Sequence, residues 1–377
     1  MERKILFIRA NPVKPDSRVE KEVESLINHG YLVSVLCWDR SEDYPLRTEP
    51  LNQTLNMVNA YRVGIKAEFG SGIKNIIKLV KFQKTIRSFL KEHIFDIVHA
   101  CDFDTAFTAY YSIDHKKTKF VYDIFDFYVD AYKVPAKVKP IIRHIDIKLI
   151  NKSDITIICT EERKEQISGS NPKNLIVVHN TPKQLNQKQA VSTESSESKN
   201  PRICYVGILQ PGRLLVELGE IMMEHPDYDL LIGGFGIYEE YFSKISKSHK
   251  NVTFYGKIPY DQTLRLEMES DILLAIYDPS VINHKYAAPN KFYESLMLGK
   301  PVLMVEGTGM SSVVEQHALG KTIQYSKEGL LEGIKSLVDH KDEWIEIKKR
   351  ANEVYLEKYS WSIMENRLIE AYSRLYQ

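Results

Sequence analysis

Short apolar runs of four to six residues recur along the chain, each followed by a longer segment of helical period, and one polar stretch divides them into two series. The first series has runs at 4–8, 32–37, 96–100, 119–123, 155–159 and 175–178. They are too short for helices and too continuously apolar for strands with one wet face, so they predict strands buried on both sides. Segments 17–29, 73–92, 103–113 and 140–151 carry apolar residues at helical spacing between them. His29-Gly30 reads as the C-terminal cap of the first helix. A strand–helix rhythm of this kind closes most simply as a parallel sheet with helices on both faces.

The second series has strand candidates at 202–206, 229–233, 252–255, 271–276 and 301–305. Helices are expected near 213–224, 238–247, 261–269, 290–298, 311–317, 328–338 and 340–356, then from Trp361 to Tyr376. A chain of 377 residues exceeds one ordinary core. The expectation is an α/β protein of two Rossmann-like domains, 1–184 and 201–359, with 360–377 packing back onto the first. The stretch 185–200, rich in Ser, Gln, Glu and Lys, reads as a linker or loop. In open α/β sheets ligands sit beyond the C-terminal strand ends, so two facing sheets would put the site in the cleft between them.

The net charge of +1 gives no reason to expect nucleic acid, although the first half is mildly basic and the second mildly acidic. Cys37, Cys101, Cys159 and Cys204 form no C-x-x-C pair and lie in or beside apolar runs. They read as reduced core residues of a cytosolic protein, without disulfide or zinc site. The run Ile5-Leu6-Phe7-Ile8 reads as a first strand, far too short for a signal peptide, so none is expected. No apolar stretch approaches the ~20 residues that span a membrane. A cytoplasmic protein is expected.

Pro289-Asn290-Lys291-Phe292-Tyr293-Glu294 carries the most chemistry. Lys291 and Glu294, three apart at a helix start, share a face. A lysine neutralises phosphate, and a glutamate accepts from two neighbouring hydroxyls, so the pair could grip both ends of a ribose-diphosphate. The same spacing serves a surface ion pair.

Three other strand ends carry related signals. At Gly207 a turn leads to Arg213, and backbone N–H groups with a guanidinium suit a phosphate. Gly233-Gly234-Phe235-Gly236 allows close backbone approach. Gly256-Lys257-Ile258-Pro259-Tyr260 could frame a flat base. Each alone is equally an ordinary loop. Four at successive strand ends of one domain read jointly as a nucleotide-diphosphate site.

In the first half, His99, Asp102 and Asp104 follow one strand, Asp123 and Asp126 the next, and Asp16 and Arg18 the first. Carboxylates here suit a hydroxyl-rich partner, although Asp102 or Asp104 also suits the N-cap of helix 103–113. Segment 73–93 interleaves Lys74, Lys78, Lys81, Lys84, Arg87 and Lys91 with Ile73, Ile76, Ile77, Val80 and Phe82. It reads either as a helix that docks on anionic lipid or as a packed helix with a solvated lysine face.

These motifs together resemble glycosyltransferase family 4, with the GT-B fold, over almost the whole chain. The resemblance rests on the Gly207 to Arg213 turn, the two glycine loops, the Pro289 to Glu294 block with Gly299-Lys300-Pro301, and Tyr359-Ser360-Trp361 before a last helix. It implies retaining, metal-independent transfer of a sugar from a UDP- or GDP-sugar to a glycan or lipid-linked acceptor in cell-surface polysaccharide synthesis. The nucleotide sugar would be a co-substrate, with no further cofactor and no metal. Arg213 and Lys291 would stabilise the diphosphate as catalytic cations. Glu294 matches the second Glu of the family's E-x7-E pattern and would hold the ribose. Gly207, Gly234, Gly256 and Ile258 would complete the nucleotide site. His99, Asp102, Asp126, Arg18, Tyr286 and Asn290 would meet the donor sugar or acceptor, and a peripheral position on the inner membrane face is implied.

Three positions depart from the family pattern. Tyr286 stands where the first Glu of E-x7-E falls, Ile208 where an Arg often follows the glycine, and Asn11-Pro12 through Arg18 where a glycine pair is common. Two rival readings follow: a nucleotide-sugar 2-epimerase of the same fold, or a non-catalytic partner subunit of a polysaccharide synthase.

Overall fold

The computed structural model describes residues 2–67, 75–132, 134–184 and 200–377. The stretch expected as a linker, except Asn200, lies outside the described residues, as do the first two residues of segment 73–93. The chain divides into two compact units, Met1–Asn180 with Met364–Gln377, and Thr181–Ile363.

The first unit holds one sheet of β1 (Lys4–Arg9), β2 (Leu32–Asp39), β3 (Tyr44–Pro50), β4 (Asn59–Gly64), β5 (Ile97–Cys101), β6 (Lys119–Ile124), β7 (Ile155–Ile158) and β8 (Leu175–Val177). The order is β3-β4-β2-β1-β5-β6-β7-β8, parallel except where β3 meets β4. Strands β5 and β7 are buried along their whole length, as unbroken apolar runs require when helices cover both faces. The sequence reading missed β3 and β4. Strand β3 carries two prolines and a largely exposed face, the composition of an edge strand, and so lacks the apolar signal. Residues Met364–Gln377 belong to this unit: Tyr372 reaches His99 in its core, and Tyr376 Oη donates to the Asp96 carbonyl at 2.8 Å.

The second unit contains β9 (Arg202–Leu209), β10 (Asp229–Gly236), β11 (Val252–Phe254), β12 (Ile272–Ala275), β13 (Val302–Val305) and β14 (Gly320–Ile323). All pairs are parallel, in the order β11-β10-β9-β12-β13-β14. One face packs Leu215, Leu218, Ile221, Phe242 and Ile334. The other packs Phe292, Tyr293, Leu296, Met310 and Val314. In each sheet the strand order reverses once, between β9 and β12 here and between β1 and β5 in the first unit. Helices leave to opposite faces at such a point, and a crevice opens at the strand ends.

Helix Asn290–Leu298 ends in a Schellman turn. Gly299 sits at φ 67°, its N–H meets the Leu296 carbonyl and that of Lys300 meets Ser295. A side chain at Gly299 would also meet Lys348 at 2.4 Å. The turn delivers the chain directly into β13 and so sets where the start of the helix lies over the sheet.

Candidate functional site

The nucleotide-suited residues of the second unit converge at the reversal between β9 and β12. Strand β9 does not stop at Gly207, as the sequence suggested, but pairs with β10 through Leu209. Gly207 lies opposite Gly234, which has φ 139°, and a side chain on Gly234 would meet the Gly207 carbonyl at 1.8 Å. Only glycine fits there. The Gly234 N–H donates to the Gly256 carbonyl at 2.7 Å, and Ile258 reaches Gly233, so the ends of β9, β10 and β11 form one bare-backbone ledge.

Over that ledge stands Lys291. Its Nζ lies 2.8 Å from where the first side-chain carbon of any other residue at 207 would be, and 4.7 Å from the Tyr205 ring centroid. Burial works against its charge. Tyr205, Tyr277, Glu294 and Glu267 outweigh burial and hold the ammonium above the ordinary lysine range. On the far side of the tyrosines, Arg213 stacks on Tyr277 with its guanidinium carbon 3.8 Å from the ring centroid, and its charge faces Tyr205.

Arg213 does not open a helix, as the sequence suggested. It precedes left-handed Leu214 (φ 48°), and the helix Leu215–Glu224 begins after that turn. Its Nη1 lies 3.3 Å from His284 Nε2, while His284 Nδ1 lies 2.8 Å from the Asp278 carbonyl. A carbonyl only accepts, so Nδ1 carries the proton and Nε2 accepts from the arginine. The result is two cations held apart by two phenol rings above the glycine backbone of the strand ends.

Glu294 follows one turn after Lys291, buried with Glu267 of helix Tyr260–Glu269. The Glu267 carboxyl hydrogen-bonds it, and the Tyr260 hydroxyl lies beside it. Asn290 opens the helix on its exposed side, and Tyr286, half-buried, ends the short turn Ile282–Lys285 with Lys285 over its ring. Sequence reasoning missed Tyr205, Tyr277, His284 and Glu267. Tyr205 lies within a strand candidate, Tyr277 just beyond one, and Glu267 on a helix candidate, and none carries a local mark of the site.

The first unit's candidates separate into two groups. Arg18 and His99 are 2% and 0% exposed. Arg18 is not in a loop but in the first helix, Ser17–Asn28, where its guanidinium binds Asp123 at 2.5 Å, Glu22 at 3.0 Å and the Val178 carbonyl at 3.0 Å. His99 stacks on Phe7 at 4.0 Å between Tyr372 and Asp123. Both stay inside the unit and order its strand ends. His99, Cys101 and Asp123 lie close enough to hold a metal, but Arg18 already neutralises Asp123, and burial pushes the Cys101 thiol up, away from the thiolate a metal needs.

Asp102 and Asp126 form the second group, at the ends of β5 and β6. Asp102 is left-handed (φ 65°) and accepts from the N–H groups of Phe125 at 2.9 Å and Asp126 at 3.2 Å. It also pairs with Arg9 across the β1/β5 reversal. It therefore ties two strand ends together and makes no side-chain cap on its helix. Asp126 is half-exposed and paired with Arg163 at 3.0 Å. Beside them, burial first and the Asp102 charge second push the Asp104 carboxyl up to about 7.

No family model matches the chain, and no curated protein matches it. Solved structures do. A sucrose-phosphate synthase from Thermosynechococcus elongatus is 15% identical with a TM-score of 0.76, over 100% of this chain and 99% of that one. HepE from Anabaena, in complex with UDP, is 13% identical with a TM-score of 0.70, over 98% and 100%. WaaG, a glycosyltransferase involved in lipopolysaccharide biosynthesis, is 14% identical with a TM-score of 0.67, over 97% and 98%. At such identities the likeness establishes the architecture, and the chain has the GT-B fold.

Proposed function

We propose that the protein is a retaining glycosyltransferase of family 4. It would move a sugar from a nucleotide-diphosphate donor to a glycan or lipid-linked acceptor in cell-surface polysaccharide synthesis. The observation that carries this is Lys291 standing over the Gly207 backbone, with Arg213 beyond Tyr205 and Tyr277, at the reversal of the second sheet. Breaking a sugar–phosphate bond builds negative charge on the departing diphosphate. Two fixed cations and the start of helix Asn290–Leu298 supply positive potential for that charge. The glycine ledge of Gly207, Gly234 and Gly256 lets phosphates and base approach the backbone, and Glu294 accepts the ribose hydroxyls. The fold kinship with HepE, solved with UDP and with UDP-glucose, supports the donor class.

In this reading the acceptor belongs to the first unit, whose carboxylates Asp102, Asp104 and Asp126 gather at strand ends. The family resemblance implies a cytoplasmic enzyme at the inner membrane face, and among the described residues no helix is long and apolar enough to cross a membrane.

The test starts with melting temperature against UDP, GDP, ADP and their sugars, since a ligand of the native state raises it. The nucleotide sugar that binds is then offered to glycan and lipid-linked acceptors. Lys291→Ala and Glu294→Ala should each lower transfer about 10²–10³-fold while the fold, followed by circular dichroism, stays intact. Unchanged transfer in both overturns the assignment. Tyr286, in place of a sugar-reading carboxylate, favours one rival, a non-catalytic subunit of a synthase. Tight nucleotide binding without turnover on any acceptor would establish that rival.

A further inference from the structure

Glu267 has no part in the reading above, yet it is joined to the residue assigned to the ribose. The two carboxyl groups are 1% and 3% exposed and hydrogen-bond each other, one from helix Tyr260–Glu269 and the other from helix Asn290–Leu298. Two carboxyls in hydrogen-bond contact need one proton between them, because two bare carboxylates repel. Geometry decides which group holds it. Oε2 of Glu267 is buried without a hydrogen-bond partner, a condition that costs far less for a neutral acid than for a carboxylate. Glu294 has the Tyr260 hydroxyl beside it and Lys291 one turn away, both of which favour its charged form.

The surroundings point the same way. Across the pair on β9 lies Cys204, whose thiol burial keeps neutral, and Ser270 follows Glu267 at the helix end. Tyr260 is on the same helix as Glu267, with Tyr355 behind it, and Lys291 and Glu294 face it from the other. Burial first, then the Glu294 charge, push Glu267 well above the usual carboxyl range against the pull of Lys291.

We propose that Glu267 is a positioning residue for the nucleotide. It donates its proton in a hydrogen bond to one oxygen of Glu294, fixes that carboxylate's rotamer, and leaves a single negative charge to accept the ribose hydroxyls. When the proton departs to solvent at alkaline pH, the two carboxylates repel and the ribose grip is lost. The inference rests on the nucleotide reading, and its test separates the two.

Binding of UDP, GDP and ADP is measured by calorimetry from about pH 6 to about pH 9.5, a range above the ordinary carboxyl pKa, with the melting temperature of the ligand-free protein at each pH. Wild type should lose affinity on the alkaline side. Glu267→Gln donates the same bond from an amide that has no proton to lose. It should bind within about threefold of wild type near neutrality and keep that affinity at high pH. Glu267→Ala should bind about tenfold more weakly throughout, the equivalent of about 1.4 kcal/mol.

The ligand-free protein gives a second readout. A carboxyl whose folded pKa is raised contributes stability below the ordinary Glu range, lost as pH rises to its folded value. Glu267→Gln should remove that part of the decline. If Glu267→Gln follows the wild-type fall in both affinity and melting temperature, the proposal is overturned. If wild type binds no nucleotide at any pH, the nucleotide reading falls and takes the positioning role with it. A flattened melting profile in Glu267→Gln would then still establish the shared proton.

Discussion

Arg18 illustrates how little a charged residue's type says about where it works. On the page of sequence it follows a strand and could face a ligand; in the structure it pairs with Asp123 and contacts Glu22 inside the first unit. Removing one partner of such a group leaves uncompensated buried charge, so Arg18→Leu should destabilise the protein by about 3–5 kcal/mol in denaturant melts. A shift below about 1 kcal/mol, the range of surface pairs, would show that the guanidinium is dispensable. Lys291 and Glu294 were legible because their spacing on one helix is local information. Tyr205, Tyr277, His284 and Glu267 were not. Their partners come from other strands and helices, and a tyrosine in a strand or a glutamate on an amphipathic helix carries no mark of its future neighbour.

At the scale of elements, helix Ile76–Glu92 packs as one reading of its segment requires, and its exposed face makes the lipid reading testable. Phe82, Ile86, Phe89 and Leu90 pack into the core, as an amphipathic helix must. Ile76, Ile77 and Val80 are nonetheless 52%, 72% and 43% exposed, beside the solvated Lys81, Lys84, Arg87 and Lys91. Apolar side chains left in water next to cations are what anionic lipid binds. We expect the protein to pellet with vesicles containing phosphatidylserine but not with purely zwitterionic ones. Each basic side chain near the surface contributes about 1 kcal/mol, so reversing Lys81, Lys84, Arg87 and Lys91 to Glu should abolish pelleting and leave melting unchanged. Equal pelleting with both lipids would sink the expectation. Helix ends were read less well than helix existence: the Leu214 turn displaced the start of the helix after Arg213, because a left-handed non-glycine residue has no sequence signature.

At the scale of the whole molecule, stability should depend on pH through carboxyls buried without full pairing. Asp146 accepts from Tyr122 at 2.8 Å while its Oδ2 has no partner, and burial raises its pKa to about 7. The folded state therefore keeps a proton that the unfolded chain releases near pH 4, and stability falls as pH rises from about 4 to about 7. Each pKa unit between the states is worth about 1.4 kcal/mol. Asp146→Asn keeps the acceptor for Tyr122 and should flatten this slope in melting temperature against pH. An unaltered slope would place the effect elsewhere.

The α/β class and its two parallel sheets were determined by sequence alone, because burial on both faces writes an unbroken apolar run and covering helices write a 3.6-residue period. Edge strands escaped that logic, since an edge need not be apolar. The order of strands was decided only in three dimensions. The reversal between β9 and β12 brings a turn near 213, a helix near 291 and a strand end at 277 to one crevice. Proximity of that kind depends on which strands are neighbours, a property of the folded sheet and not of any local stretch. The same holds for the proton between Glu267 and Glu294, 27 residues apart in the sequence and joined only where their helices pack.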